Sequence, residues 1–584
     1  MEDKKRRLFG KKSEDTTQPK TDDVSNTSPK DDEIVTKAYK LFEEYRSAYV
    51  SEWERLALNE RLYQGRHWED MQSQDTSLPE PMTPILHATV ENIAADLMDA
   101  YPEAIIQPET PEDRQVADIV MALIRQNHDS MGYRQEYRKL AHDLLVGGYM
   151  VNEVGYDVHA NHNIGSAFIR HVDNRNMLFD PQTTDIQEGR AVFKIEPKTI
   201  EWLEQRYPDK KGLFAKDEYT LNEDNELLYD QTKSVLMLEY WYKEYDTEQQ
   251  RTKVHMAKVA GRQLLEDSRK EKPDGYFYMG LYPFVVTPLF VRKGSSLGYG
   301  LCDLFGKTQE YADKLDQIIL KNAAMASRNK LLNTAASGFD TEDLKDWSKD
   351  VHEGQSLSGV TWFSNPPLPN YLLAYVQEQH ERIRNESGSN NFSRGQGGAG
   401  VTAASAIAAL QEASSKRSRM ASDQMHEAFK EAVRMEIEFE REFNILPRKV
   451  LLTRNGEQVI ATFENAILER ESKIRYGEKV PVEFFVSIKV QRENRWTVAA
   501  HNELILQMAQ LGILQPGQVL ELMEFEGKEE IINKTQTQVT PEQMAQAEAE
   551  AQQQMAVEQA MEEQTMLEQE AAQLPSPEQA LMQI

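Results

Sequence analysis

The sequence predicts an α+β fold, mostly helical. Three observations carry that prediction. Apolar residues recur at helical spacing from Glu33 to about Leu145. Period-two alternation takes over between Val151 and Val291. Helical spacing then returns from Cys302 onward, so helices and strands are segregated rather than alternating.

Met1 to about Asp32 is Lys, Asp, Ser, Thr and Pro with almost no apolar residues. Burial there cannot offset ordering entropy, so a disordered arm is expected. Its basic run, Lys4 to Arg7, reads as a solvated tail before it reads as a nucleic-acid contact. No apolar segment follows, so no signal peptide is expected. From Glu33, Leu41, Tyr45, Tyr49 and Trp53 stand four apart and make one helical face. A second helix runs from Ile85 to about Met98 (Ile85, Val90, Ile93, Ala94, Leu97) and stops before Pro102. A third covers Pro111 to about Ser130, with Glu112 and Asp113 in the first turn, where the helix dipole favours acids. A fourth spans Gln135 to Leu145 and ends at Gly147 and Gly148.

Val151–Val158, Ala167–Val172, Met177–Asp180 and Ala191–Ile195 read as short strands. A long strand, Ser234 to Tyr245, returns through a polar turn as Lys253–Val259, an antiparallel meander. Phe284–Val291 (FVVTPLFV) reads as one more strand. Beyond it, Leu304, Thr308, Tyr311, Leu315, Ile318, Asn322 and Met325 alternate steps of four and three. That is a heptad-like seam on a helix from Cys302 to Leu331, about 45 Å long. Asn333 to Leu368 breaks the pattern with Gly338, Gly354, Gly359, Pro366 and Pro367. A second helix follows from Pro369 to Asn385, then a flexible loop from Ser387 to Gly400. A long helix starts at an N-cap at Thr402 and reaches Phe443, its beginning thinned by alanines. Short strands fall within Val450–Thr462 and Val480–Val490, and short helices reach Asn533. After Lys534 there is no Lys or Arg, but nine Glu, thirteen Gln and five Met. A weakly helical tail ordered in an assembly and plain disorder both fit that composition.

Composition narrows the function. Lys plus Arg number 67 and Asp plus Glu 96, a formal net charge of −29. The balance argues against gripping duplex DNA by its phosphates, though not against letting DNA slide past. One cysteine, Cys302, excludes a disulfide framework and a Cys-based zinc site. It fits a reducing compartment, or a virus particle assembled in one. No apolar run approaches the roughly 18 residues of a membrane helix. The twelve His have no HExxH spacing and no acids have EF-hand spacing, so neither metal nor cofactor is expected.

Two stretches imitate nucleotide sites. Gly300-LCDLF-Gly306-Lys307-Thr308 follows a strand, as a phosphate loop would, but holds five residues between its glycines where four are needed. Its residues also belong to the helical seam. Gly395-Gln-Gly397-Gly398-Ala-Gly400 matches the dinucleotide fingerprint, yet polar helical residues precede it and no βαβ unit surrounds it. No catalytic constellation emerges, so an enzyme is not expected.

Three stretches, with the order of elements, carry a resemblance: RHVDNRNMLFDP (Arg170 to Pro181), YPFVVTPLFVRKGSSLGYGLCDLFGKTQEYADKLDQ (Tyr282 to Gln317) and GAGVTAASAIAALQEASSKRSR (Gly398 to Arg419). The chain resembles the portal proteins of tailed bacteriophages, the short-tailed-phage type in particular, from about Glu33 to Glu530. The resemblance implies a portal-protein fold with wing, stem, clip and crown regions. Residues 1–32 would be the arm, 33–301 the wing body, 302–331 the first stem helix and 332–368 the clip. Residues 369–386 would be the second stem helix, 387–401 the tunnel loop, 402–445 a long wing helix, 446–533 wing and crown, and 534–584 the acidic tail. It further implies a homo-oligomeric, dodecameric ring at one capsid vertex of the virion, assembled in the host cytoplasm. Duplex DNA would be packaged through it by the large terminase and later ejected. Scaffolding and major capsid proteins and tail adaptor proteins would be the other partners, with no membrane.

Twelve copies would carry about −350, a repelling field screened beyond about 8–10 Å, in which a few cations steer DNA without trapping it. Candidate channel residues are Lys321, Arg328 and Lys330 on the stem, and Asn390, Asn391, Phe392 and Arg394 on the loop. Surface pairing at i,i+4 is the competing explanation of the stem cations. Asp340, Glu342, Asp343, Asp346, Asp350 and Glu353 outnumber Lys345 and Lys349 in the clip, a candidate docking surface for a basic partner such as the terminase or an adaptor. Two alternatives stay open on the residues alone. One is another oligomeric head–tail or minor head protein of a virion; the other, weaker, is a nucleotide-binding enzyme.

Overall fold

A computed structural model describes residues 29–69, 79–214, 219–221, 227–229, 234–327, 330–346, 348–363, 369, 371–387, 416–454, 457–471, 479–490, 502, 505–511, 519 and 522–523. The expected arm up to residue 28, the tunnel loop from 388 to 401, the start of the long helix from 402 to 415 and the tail from 534 lie outside the described residues. The chain divides into two compact units, one of residues 1–452 with 460–490 and one of residues 453–459 with 491–584. In the second, residues 505–510 are helical.

Helix α1 (Pro29–Tyr63) opens the first unit. Its buried face is Ile34, Ala38, Phe42, Tyr45, Tyr49, Trp53 and Leu56, in steps of four and three. It reaches back to Pro29, earlier than expected; proline suits a helix start because its missing N–H would be unpaired there anyway. Then come α2 (Ile85–Asp99), β1 (Pro102–Pro108), α3 (Arg114–Met131) and α4 (Tyr133–Val146). Gly132, at φ 66°, makes the turn between α3 and α4. The sequence reading did not anticipate β1. A seven-residue stretch closed by a proline at each end shows little periodicity, and its partner strand, Phe484–Val490, lies nearly four hundred residues away.

The strands that follow are β2 (Tyr149–Asp157), β3 (Ser166–His171), β4 (Met177–Phe179) and β5 (Ala191–Thr199). Thr199 caps α5 (Ile200–Arg206) by accepting from the Trp202 N–H at 3.2 Å. Next are β6 (Tyr219–Leu221) paired with β7 (Leu227–Tyr229), then β8 (Ser234–Asp246), β9 (Arg251–Ala260) and β10 (Gln263–Asp267). β8 and β9 form the expected meander; β10, which the sequence did not suggest, and β5 and β4 extend it to the order β10-β9-β8-β5-β4. FVVTPLFV is not one strand. β11 (Phe284–Pro288) joins β2 and β3 in a second sheet, while β12 (Phe290–Val291) pairs with β13 (Gly298–Tyr299). Pro288 has no N–H for a ladder, and the next amide, Leu289, donates to Gly148 O at 2.9 Å instead.

Helix α6 (Leu301–Ser327), β14 (Lys330–Asn333), β15 (Val360–Phe363), α7 (Tyr371–Ser387) and α8 (Lys416–Phe443) follow. Strands β16 (Arg448–Arg454), β17 (Glu457–Phe463), β18 (Glu469–Glu471), β19 (Lys479–Pro481) and β20 (Phe484–Val490) complete the series. α8 lies across β2 and β11 with Met425, Phe429, Val433 and Phe439 inward, closing the core from the far end of the chain. Rings tie the layers together: Tyr45 meets Phe193 edge-on at 5.5 Å, and Trp241 stacks on Phe277 at 5.5 Å. The fold is α+β, as the segregated periodicities predict.

Candidate functional site

α6 is placed from its first residue. Gly148 has φ 89°, and a Cβ on it would lie 2.3 Å from the carbonyl carbon of Tyr299. A Cβ on Gly300 would lie 2.6 Å from Leu145 O. Two glycines thus let the start of α6 press against the end of α4. Asp303 then gathers three donors: the Gly300 N–H at 2.7 Å, Arg55 Nη1 at 2.5 Å and Asn59 Nδ2 at 3.0 Å. Arg55 also donates to Gly147 O at 2.8 Å and pairs with Glu52, which accepts from Arg292 at 3.1 Å. Two acids and two arginines therefore balance around the helix root.

A second polar node follows on the same face. Gln309 Nε2 donates to Thr83 O at 2.7 Å and to Asp313 Oδ1 at 3.1 Å, and its Oε1 accepts from the Leu86 N–H at 3.3 Å. Asp313 Oδ2 faces His67 Nδ1 at 2.5 Å, both side chains being sealed from solvent. Burial pulls the His67 imidazole down, but the Asp313 carboxylate outweighs it and holds the group above its ordinary range.

The other face of α6 is bare. Leu304, Tyr311, Ile318 and Met325 stand seven apart and are 47%, 63%, 50% and 43% exposed. Four of the seven seam positions read from the sequence are thus open, while Thr308, Leu315 and Asn322 are half-buried. α7 packs beside α6, burying Val376, Gln379 and Ile383. It leaves Tyr371, Leu373 and Tyr375 exposed. Apolar stripes of this regularity mark a surface built for another helix.

Several expectations shift here. The first stem helix was expected to reach Leu331 but ends at Ser327, because Lys330 to Asn333 pair as a strand with Val360 to Phe363. Lys330 thus stands on β14, exposed, opposite Phe363, and belongs with the insert rather than the helix. The second helix runs two residues later at each end than expected and includes Ser387, which is buried. Lys321 is exposed on α6, and no carboxylate stands three or four positions from it, so the i,i+4 explanation does not apply. Arg328, Asn390, Asn391, Phe392 and Arg394 lie outside the described residues. The supposed phosphate loop is helical from Leu301, and its Lys307 pairs with Glu310 at 3.1 Å.

The insert between α6 and α7 holds all six predicted acids, in unequal roles. Asp343 is engaged locally, by Lys349 and by His352 at 3.2 Å. Glu342 pairs with Lys345 at 2.8 Å, Asp340 accepts from the Glu342 N–H at 3.1 Å, and Asp346 accepts from Ser348. Asp350 and Glu353 are exposed. Leu332, Val351, Leu357 and Trp362 are exposed as well, at 52–81%.

A protein-family model described as Phage P22-like portal protein matches residues 39–583, nearly the whole chain. The chain belongs to that family. No individual curated protein matches it. The P22-like portal proteins are structural, not enzymatic, components of the phage virion, they assemble as oligomeric rings, and their general role is in DNA packaging. Among the described residues no helix is long and apolar enough to cross a membrane. The sequence reading missed the Arg55–Asp303 and His67–Asp313 ties. Their partners are 248 and 246 residues apart, and no local pattern marks them.

Proposed function

We propose that α6 and α7 are the stem of a dodecameric ring at one capsid vertex, with the seam of α6 seated against a neighbouring copy. One observation carries the reading: four large apolar side chains, spaced by sevens, lie open along a helix whose opposite face is already anchored. The anchored face fixes the helix to its own body, and the open face requires a partner. Residues 330–368 form the clip, where the large terminase docks during packaging and tail adaptors dock afterwards. Residues 33–300 are the wing body, residues 388–401 the tunnel loop, and the residues after 446 wing and crown. Scaffolding and major capsid proteins meet the ring as the capsid is assembled in the host cytoplasm, and the packaged duplex leaves by the same bore.

The net charge of −29 per chain disfavours tight binding of the duplex and keeps DNA mobile. Lys321, with Arg328, Lys330 and Arg394, supplies sparse positive charge that guides the duplex, and Asn390, Asn391 and Phe392 complete the contact. The testing experiment is particle imaging with subunit counting. Rings of twelve are expected from the natural chain, and rings should be lost when Ile318 and Met325 are replaced by Asp. A compact monomer of the natural chain at high concentration would overturn the reading.

A further inference from the structure

The last turn of α1 is held by three imidazoles that come from three different segments. His67 Nε2 faces Leu62 O at 3.0 Å, and His87 Nδ1, from α2, faces Tyr63 O at 3.1 Å. His142 Nε2, from α4, faces Glu60 Oε2 at 3.1 Å. Tyr63 sits between two of them, 4.7 Å from each ring centroid, and its hydroxyl donates to Glu91 at 2.6 Å. Helix C-termini present unpaired carbonyls and a partial negative charge, so protonated imidazoles are favoured there.

His67 has an acceptor at each ring nitrogen, the Asp313 carboxylate at Nδ1 and the Leu62 carbonyl at Nε2. A neutral imidazole can donate from only one nitrogen, while the imidazolium donates from both. Deprotonation would therefore turn a lone pair toward a buried oxygen, at the contact that fastens α6 to the end of α1.

We infer that this histidine cluster is a proton-operated clasp on the stem root, closed when His67 and His142 are charged and loosened when they are neutral. The inference goes beyond the ring reading and concerns contacts inside one chain, so it stands or falls independently of ring number. The acids facing the clasp are Asp313 and Glu310 from α6, Glu60 from α1, Glu91 from α2 and Asp143 from α4 itself, and the basic groups are Arg138 of α4, Arg175, and His171, which pairs with Asp143. The acids act on the two imidazoles, whereas Arg138 acts on Tyr63 and Arg175 on Glu60, so the balance favours the charged imidazoles. Both histidines are desolvated, which lowers them, but their carboxylate partners hold each above the ordinary range. Groups raised on folding contribute fully below about pH 6.5, and the contribution is lost as pH climbs through the raised values. Glu60 is pushed up by burial but held lower overall by His142, so its share persists well below neutrality.

The test is amide hydrogen exchange on the assembled full-length protein at about pH 6 and about pH 9, corrected for intrinsic rates, with β8 and β9 as internal reference. Peptides from residues 60–67 and 301–316 should lose about tenfold in protection at the higher pH. His67→Gln should abolish that pH dependence in 301–316 and leave in 60–67 only the share that His142 carries. Asp313→Asn serves if His67→Gln does not fold, with the same expectation. Equal protection of these peptides at both pH values in the natural chain, or a full pH dependence surviving in the variant, would overturn the clasp.

Discussion

Arg55 of α1 donates through Nη1 to the Asp303 carboxylate of α6 at 2.5 Å, across 248 residues of chain. The same carboxylate accepts from the Gly300 N–H, so one acid both caps α6 and ties it to α1. Removing the acid alone would leave Arg55 partly buried beside Glu52 and without its partner on α6. Asp303→Ala should destabilise the protein by about 3 kcal/mol, the lower end for breaking a buried pair. Chemical denaturation read by fluorescence checks this; a loss under about 1 kcal/mol would class the pair with exposed surface bridges.

The glycines at the helix root make a sharper demand. Gly148→Ala would force a Cβ to within 2.3 Å of main-chain carbon, at a positive φ. Neither atom belongs to a flexible side chain, so relief requires moving α6 itself. Soluble yield and thermal stability should both collapse in this variant, whereas Gly212→Ala, with open space around it, should cost only its own backbone strain.

The seam separates folding from assembly. Tyr311 and Ile318 contribute little to the core of one chain because they are exposed. Tyr311→Asp with Ile318→Asp should leave the circular dichroism of the subunit intact while sedimentation shows the rings gone. Rings that persist would move the interface elsewhere.

In the insert, Asp343 is a poor probe of docking, since it holds Lys349 and His352 in place. Asp350 and Glu353 are better, being exposed. Asp350→Lys with Glu353→Lys should leave rings intact and stop DNA packaging, scored as DNA-filled heads. Normal filling would remove these acids from the docking surface.

Asp180, next to last in the stretch RHVDNRNMLFDP, predicts an acid limb. Burial pushes its carboxyl up, but hydrogen bonds from Arg190 and from main-chain amides win and hold it down to about 2. A depressed carboxyl stabilises above its unfolded value and loses that share as pH falls from about 4 to about 2. The share is about 1 kcal/mol, discounted because Arg190 is half exposed. Asp180→Asn should flatten the stability–pH curve in that window; an unchanged curve would assign the acid limb to other groups.

The sequence by itself determined what is periodic. The four-residue steps Tyr45, Tyr49 and Trp53 of α1, the pairing of β8 with β9 and the seven-residue stripe from Leu304 to Met325 are all local repeats that persist in the structure, though the buried face of α1 takes Phe42 rather than Leu41. The order of these elements carried the family as well. Tertiary structure alone decided where repeats stop and what holds them. α6 ends at Ser327 because strand pairing with Val360 to Phe363 claims the residues from Lys330 on, and FVVTPLFV divides because a proline and the Gly148 carbonyl redirect its ladder. The ties of Asp303 and Asp313 to Arg55 and His67 were illegible for a related reason. A single polar pair has no period, and its energy exists only once hundreds of intervening residues have brought the two groups together away from water.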